Sequence, residues 1–198
     1  MAINSYATLK PAVANWMNRG DLDAVIGDFI TLAEARIASD LRVRRMLTTV
    51  TLNTVAGATV PLPVGWLEFD ALRYNGRPVE FMTSDQLSNR YGQLTGEPQY
   101  YTIEADQLVL GPTPANVYAL TARYYKQLDP LETSGTNWLI TSKPNLYLYA
   151  ALAEASLFVK KPDDAASWAG LYGGILDAIK VEDEVAKHSG SQLRVMTR

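Results

Sequence analysis

The chain has 198 residues, 47% of them hydrophobic and 20% charged, with a net charge of −3 and no cysteine. That length and balance fit one globular domain, or one with a sizeable insertion, able to bury a core of its own. Lack of cysteine excludes a disulfide framework, a thiolate metal site and a cysteine nucleophile. The acidic balance argues against a dedicated nucleic-acid binder, which needs a basic face to displace counterions. Residues 146–159, the longest apolar run, are too short and interrupted for a membrane span. Residues 1–10 lack the basic start and apolar run of a signal peptide, so synthesis in the cytoplasm is expected. From Lys187 onward there are three basic side chains and no acidic one, which leaves the remainder at −6.

Residues 1–45 read as helical. Tyr6, Leu9, Val13, Trp16 and Met17 share one face, with Ser5 placed as the N-cap. Pro11 removes a backbone donor, so this helix either kinks there or begins near Thr8. After a break at Arg19-Gly20-Asp21, Leu22, Ile26, Phe29, Ile30, Ala33, Ile37 and Leu41 recur at three- and four-residue steps. That is one apolar stripe, with Asp28, Glu34, Arg36, Asp40 and Arg42 off it or at its edge. Gly27 is a candidate start for the second helix, residues 21–26 then forming a turn. Arg42, Arg44 and Arg45 follow, and arginine in a last turn complements the helix dipole.

Residues 46–139 read as β. Strands are expected at 47–52, 59–62 and 67–74, with a turn at Gly57. Asn75-Gly76 favours a type I′ hairpin, because both positions tolerate positive φ, and 79–82 is the expected return strand. Ser84-Asp85 opens a short helix or turn ending near Gly92. A second hairpin is expected over 99–103 and 107–110, and Tyr118, Leu120, Ala122 and Tyr124 alternate along a last strand. Residues 128–140 read as a long polar loop, a length often used for binding. Its Trp138 either packs under the next helix or joins Glu132 and Thr133 as a partner contact.

Helix returns over 140–188. Thr141-Ser142 reads as an N-cap pair, and Pro144 suits a first turn. Leu146, Tyr149, Ala150, Ala153 and Leu157 make one stripe. A break at Lys161-Pro162 leads into a helix carried by Trp168, Leu171, Ile175, Ala178, Ile179 and Val185, with Asp163 and Asp164 favourably placed for its dipole. Gly173-Gly174, beside alanines, reads as a place where two helices approach closely. Beyond a Ser-Gly-Ser hinge, Leu193 and Val195 alternate with Arg194 and Met196, a strand-like pattern too short to fold alone and suited to docking on a partner.

Chemistry is sparse. The only histidine, His188, ends the last helix with no partner nearby in sequence, whereas a triad needs it rigidly placed. Glu182, Asp183 and Glu184 point in different directions around a helix and read as a solvated face rather than a cation site. No glycine-rich phosphate loop is present. Tyr100-Tyr101 and Tyr124-Tyr125 could stack bases, but only Arg123 and Lys126 accompany them, so cross-strand packing is the better reading. No enzyme, metal or cofactor signature emerges.

Three phrases carry more. Asn15-Trp-Met-Asn-Arg-Gly-Asp-Leu, Asp28-Phe-Ile-Thr-Leu-Ala-Glu-Ala-Arg-Ile and Leu41-Arg-Val-Arg together resemble the N-terminal helical pair of bacteriophage head-to-tail adaptors (connector, head-completion, tail-tubular-protein-A-like). Thr136-Asn-Trp-Leu and Pro144-Asn-Leu-Tyr-Leu-Tyr-Ala-Ala-Leu-Ala-Glu-Ala resemble the second pair of the same family. The resemblance implies an α+β, mainly helical fold, in which a discontinuous four-helix bundle carries an inserted antiparallel β-rich domain and an extended C-terminal arm. The expected divisions are 1–45, 46–139, 140–188 and 189–198, with tail-facing loops on the β-rich insertion. It implies a structural virion protein in the neck, without cofactor: a ring of about twelve copies between portal and tail, giving DNA a continuous channel for packaging retention and ejection. Implied partners are the portal ring, a tail or nozzle protein, other copies of the chain, and genomic DNA passing without sequence-specific contact; no membrane is involved. The arm, through Leu193, Arg194, Val195, Met196, Thr197 and Arg198, is expected to meet the portal. Departures from the pattern are Gly27 and a loose divergence through residues 53–116. A sequence-tolerant DNA-binding packaging protein is the alternative, needing a basic face assembled from Arg36, Arg42, Arg44, Arg45 and Lys126.

Overall fold

The computed structural model describes residues 2–57 and 59–188. In chain order its elements are α1 (Tyr6–Met17), α2 (Ile26–Asp40), a 3₁₀ turn (Arg44–Met46), β1 (Leu47–Asn53), β2 (Val60–Pro61), β3 (Trp66–Tyr74), β4 (Arg77–Pro78), β5 (Glu80–Phe81), α3 (Ser84–Tyr91), β6 (Thr95–Gly96), β7 (Tyr100–Glu104), β8 (Gln107–Gly111), β9 (Thr113–Pro114), β10 (Ala119–Lys126), α4 (Leu131–Ser134), α5 (Trp138–Ser142), α6 (Pro144–Phe158) and α7 (Pro162–His188). This is an α+β protein with seven α-helices among the described residues. It forms two compact units, one of residues up to Val43 with those from Leu128 onward, the other Arg44–Gln127.

In the helical unit, α1 begins at Tyr6 and runs through Pro11. The Thr8 hydroxyl accepts the Ser5 N–H at 3.0 Å, and the Ser5 carbonyl takes the first helical bond from Leu9 N–H at 2.9 Å. Pro11 is exposed, where loss of its donor does least harm. In α2 the periodic stripe is the buried face: Ile26, Phe29, Ile30, Ala33 and Ile37 are each at most 4% exposed. Gly27 has a packing reason, since a Cβ there would lie 3.1 Å from the Tyr6 hydroxyl.

α6 is buried on nearly every side, with α7, α2, α1 and α5 packed around it. Alanines 150, 151, 153 and 155 are small enough to admit neighbours from several directions. Three expectations need correction here. Leu157, taken as stripe, is 52% exposed. On α7 the buried positions are Ala165, Tyr172, Leu176 and Ile179, whereas Leu171, Ala178 and Val185 face solvent. Among the described residues the glycines of α7 mediate no close approach: a Cβ on Gly170, Gly173 or Gly174 meets nothing within 4 Å.

The β unit holds two four-stranded sheets, ordered β1-β10-β3-β4 and β2-β8-β7-β5. Val60, Leu72, Val79, Leu108, Leu110, Leu120 and Ala122 form its core, with Val50, Leu52 and Phe69 packed at the edge. The β1–β10, β10–β3 and β7–β8 ladders are antiparallel. The two-residue pairs β5–β7 and β6–β9 are parallel, a departure from a purely antiparallel unit. Asn75 and Gly76 have φ of 46° and 77°, as a type I′ turn requires. The return strand differs from its expected 79–82. Arg77–Pro78 pairs with β3, then Glu80–Phe81 joins β7 of the other sheet. Pro78 cannot donate to a ladder, and the buried Val79 sits at the crossing.

The stretch 128–140 also differs. It folds as α4 and α5 and belongs to the helical unit, so the boundary expected at 139 lies at Gln127. The cause is burial: Leu131, Leu139 and Ile140 are fully enclosed.

Candidate interaction surfaces

Segment 128–140 is tied into the helical unit by directed bonds. Tyr6 N–H donates to the Gly135 carbonyl at 2.8 Å, and the Thr136 hydroxyl donates to the Asn4 carbonyl at 3.0 Å. The Glu34 carboxylate accepts the Leu131 N–H at 2.8 Å. Asn137 is the hub. Its side-chain oxygen accepts the Leu139 and Ile140 N–H groups at 3.1 and 3.0 Å, capping α5. Its amide nitrogen donates to the Tyr147 hydroxyl at 2.8 Å. Burial pushes the Tyr147 hydroxyl far above the usual phenol range. The Thr141-Ser142 cap expected for the helix that opens at Pro144 does not form: both residues lie in the last turn of α5, and Lys143 precedes α6. Glu132 and Thr133 are exposed on α4, and Trp138 is half-buried in the first turn of α5. The expected arm contacts, Leu193 to Arg198, lie outside the described residues.

α7 presents a second apolar stripe opposite its buried one. Leu171, Val181 and Val185 are 50%, 61% and 65% exposed, and Gly174 and Ala178 are exposed between them. The spacing 171, 174, 178, 181, 185 alternates three and four residues, the period of a helix–helix seam. Near the start of α7 an aromatic cluster reaches the surface. Trp16, itself 52% exposed, meets Trp168 edge-on at 5.7 Å and Tyr149 at 6.1 Å. Tyr149 and Trp168 stack at 5.7 Å. Beside them Met17, Ser156, Lys161, Asp164 and Leu171 help line a shallow cleft of about 350 Å³. Nothing in the sequence alone separated this outer stripe from the inner one, since both follow a helical period.

The basic residues proposed for a DNA face are partly engaged elsewhere. Arg36 is ion-paired with Glu154 and lies over the Tyr172 ring. The Tyr172 hydroxyl donates to Asp40 at 2.9 Å; burial, together with that carboxylate, pushes it far above the usual phenol range. Arg42 donates to the Ala38 and Leu41 carbonyls at 2.6 and 2.7 Å, closing the C-terminal end of α2. Arg123, named only beside the tyrosine pairs, is paired with Asp70. Glu182 is held by Lys143 at 2.6 Å and Glu184 by Lys187 at 2.8 Å, so these acids diverge. Among the described residues no group of three or more histidine or acidic side chains is placed to hold a metal ion. Among them, too, no helix is long and apolar enough to cross a membrane.

The β-unit aromatics pack on one another. Tyr124 meets its cross-strand partner Phe69 edge-on, and Phe69 also meets Tyr101 of the other sheet edge-on. Tyr100 stacks on Tyr91 of α3 at 5.1 Å. At the rim of this unit Val64, Phe81, Leu94 and Val117 are exposed.

No curated protein matches the chain. A family model does, over residues 4–196, taking in both parts of the helical unit and the β unit between them. The chain belongs to the SU10 adaptor protein family, a family of structural phage head–tail adaptors.

Proposed function

We propose that this chain is a neck subunit of the phage particle, joined in about twelve copies into a ring between portal and tail. The ring gives genomic DNA a continuous channel without reading its sequence. Family membership sets the class of function. The observation that carries the ring is the solvent-facing stripe on α7. A helix already seated on α6 gains nothing in the free subunit from Leu171, Val181 and Val185 on its far side. Apolar groups so aligned stabilise an assembly that buries them. A head-to-tail ring needs two complementary surfaces per subunit, and this stripe supplies one. On this reading the helical unit is a discontinuous four-helix bundle. Residues 193–198 meet the portal, Glu132, Thr133 and Trp138 form a further partner contact, and the exposed β-unit side chains Val64, Phe81 and Leu94 meet the tail.

The test is assembly with portal. Purified chain and portal should sediment together as one large complex, and electron microscopy of virions should place this chain's density below the portal. Val181→Lys with Val185→Lys should leave the free subunit folded and stop the ring. Rings that form at unaltered yield remove α7 from the interface.

A further inference from the structure

We propose that two copies of the free protein pair edge to edge along β1, antiparallel, about a two-fold axis at Val50. The two four-stranded sheets have four outer strands, β1, β4, β2 and β5. Three of these are blunted. β2, β4 and β5 are two residues long. β2 and β4 end in Pro61 and Pro78, which carry no N–H, and β5 exposes the charged Glu80. These are the ordinary devices against edge pairing. β1 has none of them. Leu-Thr-Thr-Val-Thr-Leu-Asn runs seven residues without proline or charge.

The direction of its free groups follows from the ladder. Thr54 N–H donates to the Tyr118 carbonyl at 2.9 Å, in register with the β1–β10 pairs that run from Leu47↔Tyr125 to Asn53↔Ala119. In an antiparallel ladder, bonding residues alternate. Thr48, Val50 and Leu52 therefore bond towards β10, and Leu47, Thr49, Thr51 and Asn53 present their N–H and C=O groups outward. Thr49, Thr51 and Asn53 are exposed, while Val50 and Leu52 are only half-buried.

A second copy is the occupant because this edge is its own complement. With Val50 opposite Val50, the outward groups meet as Thr49 with Thr51, Thr51 with Thr49, and Leu47 with Asn53. On the core side Thr48 meets Leu52. No charge faces a like charge, and the threonine and β-branched pairs are favourable ones. No other edge of the described sheets offers a strand long enough to pair with β1 head to tail. The contact is small: two seven-residue edges, about 24 Å long by strand rise, bury on the order of 500 Å². That falls well short of the roughly 1,200 Å² of a stable complex, so the pair is weak and reversible. A ring built by a single rotation contains no two-fold contact. The pair therefore belongs to the unassembled subunit and separates before assembly, keeping this edge covered meanwhile.

Sedimentation of the full chain should show a monomer–dimer equilibrium and no larger species. Thr49→Lys with Thr51→Lys sets like charges opposite each other and should weaken the dimer by at least about tenfold, with the melting temperature unchanged. Because the chain has no cysteine, Val50→Cys under mild oxidation should give a disulfide-linked dimer, while Thr121→Cys on the central strand should not. A chain that stays monomeric at all concentrations overturns the proposal. So does a dimer that survives the two lysines, or one that vanishes when residues 189–198 are removed, which would assign the edge to the tail.

Discussion

Replacing the α7 glycines with alanine should have opposite effects on the free subunit and on its assembly. Gly170, Gly173 and Gly174 all lie in helical backbone, and a Cβ on any of them meets no atom within 4 Å. Steric cost is therefore absent, and what remains is propensity, about 0.8–1.0 kcal/mol per glycine replaced in a helix interior. The triple variant should gain about 2–3 kcal/mol. At roughly 2–4 °C per kcal/mol for a chain of this size, the helical transition should rise by about 5–10 °C. Far-UV circular dichroism during a thermal scan reads this directly. An unchanged or lower transition would mean that a neighbour already occupies the face, and the reasoning fails.

Assembly separates the three positions. Gly174 sits within the outward stripe, between Leu171 and Ala178, whereas Gly173 is turned partly inward. If α7 lies at the subunit contact, Gly174→Ala should lower the yield of portal-bound rings more than Gly173→Ala does, although both stabilise the free subunit. Equal yields would place the contact elsewhere.

Phe29 is 4% exposed and meets Phe158 at 5.3 Å, so Phe29→Ala should cost about 3–5 kcal/mol in chemical denaturation; a loss under 1 kcal/mol would contradict its place in the core. Lys160 holds φ of +59° just past α6, where Lys161 N–H bonds the Ser156 carbonyl at 2.9 Å and Lys160 N–H bonds the Leu157 carbonyl at 3.0 Å. That geometry favours glycine, and Lys160→Gly should stabilise by about 1 kcal/mol in the same assay. Burial raises the Glu34 carboxyl above its ordinary 4.5, against the opposing bond from Leu131 N–H. A raised folded value means that stability from this group is fully present below 4.5 and is lost as pH rises through the folded value. Glu34→Gln should therefore match the parent in acid and exceed it at neutral pH; a difference independent of pH would refute this.

What the sequence showed depended on whether one physical cause governed each pattern. The α2 stripe was legible because a single buried face generates a single period. α6 was visible as an apolar run, but its surroundings were not, since a helix enclosed on several sides loses the asymmetry that points to a core. On α7 two apolar stripes overlap, one for α6 and one for solvent or a partner, and periodicity cannot assign either. Asn75-Gly76 announced its turn, yet the return strand was read as one run over 79–82, when Arg77–Pro78 pairs with β3 and Glu80–Phe81 joins the other sheet. Segment 128–140 looked like a loop because its polar residues outnumber Leu131, Leu139 and Ile140. Its order comes from bonds to Asn4, Tyr6 and Glu34, which are distant in sequence, and to the buried Tyr147 of the next helix. In the candidate surfaces, Glu132 and Thr133 were named by position alone and are exposed, while Leu171, Ala178 and Val185 were named for the buried face of α7 and face solvent.

A unit made of two chain segments must bring them together, and here the inserted residues bear that cost themselves. Closing an unstructured loop of 84 residues (Arg44–Gln127) would cost about 4 kcal/mol beyond the constant term. The β unit removes most of that cost, because its first and last long strands are neighbours. Leu47 pairs with Tyr125, which sets the two Cα atoms about 5 Å apart. From there the chain continues only to Val43 on one side and Leu128 on the other. The helical unit meanwhile closes on itself through Tyr6 to Gly135, Glu34 to Leu131 and Arg36 to Glu154. Excising residues 44–127 and joining Val43 to Leu128 through a flexible linker of about six glycine and serine residues, with a mean span near 13 Å, should therefore leave a folded helical protein. Its far-UV spectrum should be helical, and its unfolding should be a single cooperative transition. A product that is molten, binding hydrophobic dye and melting without a transition, would show that the helical unit depends on the β unit for more than the joining of its ends.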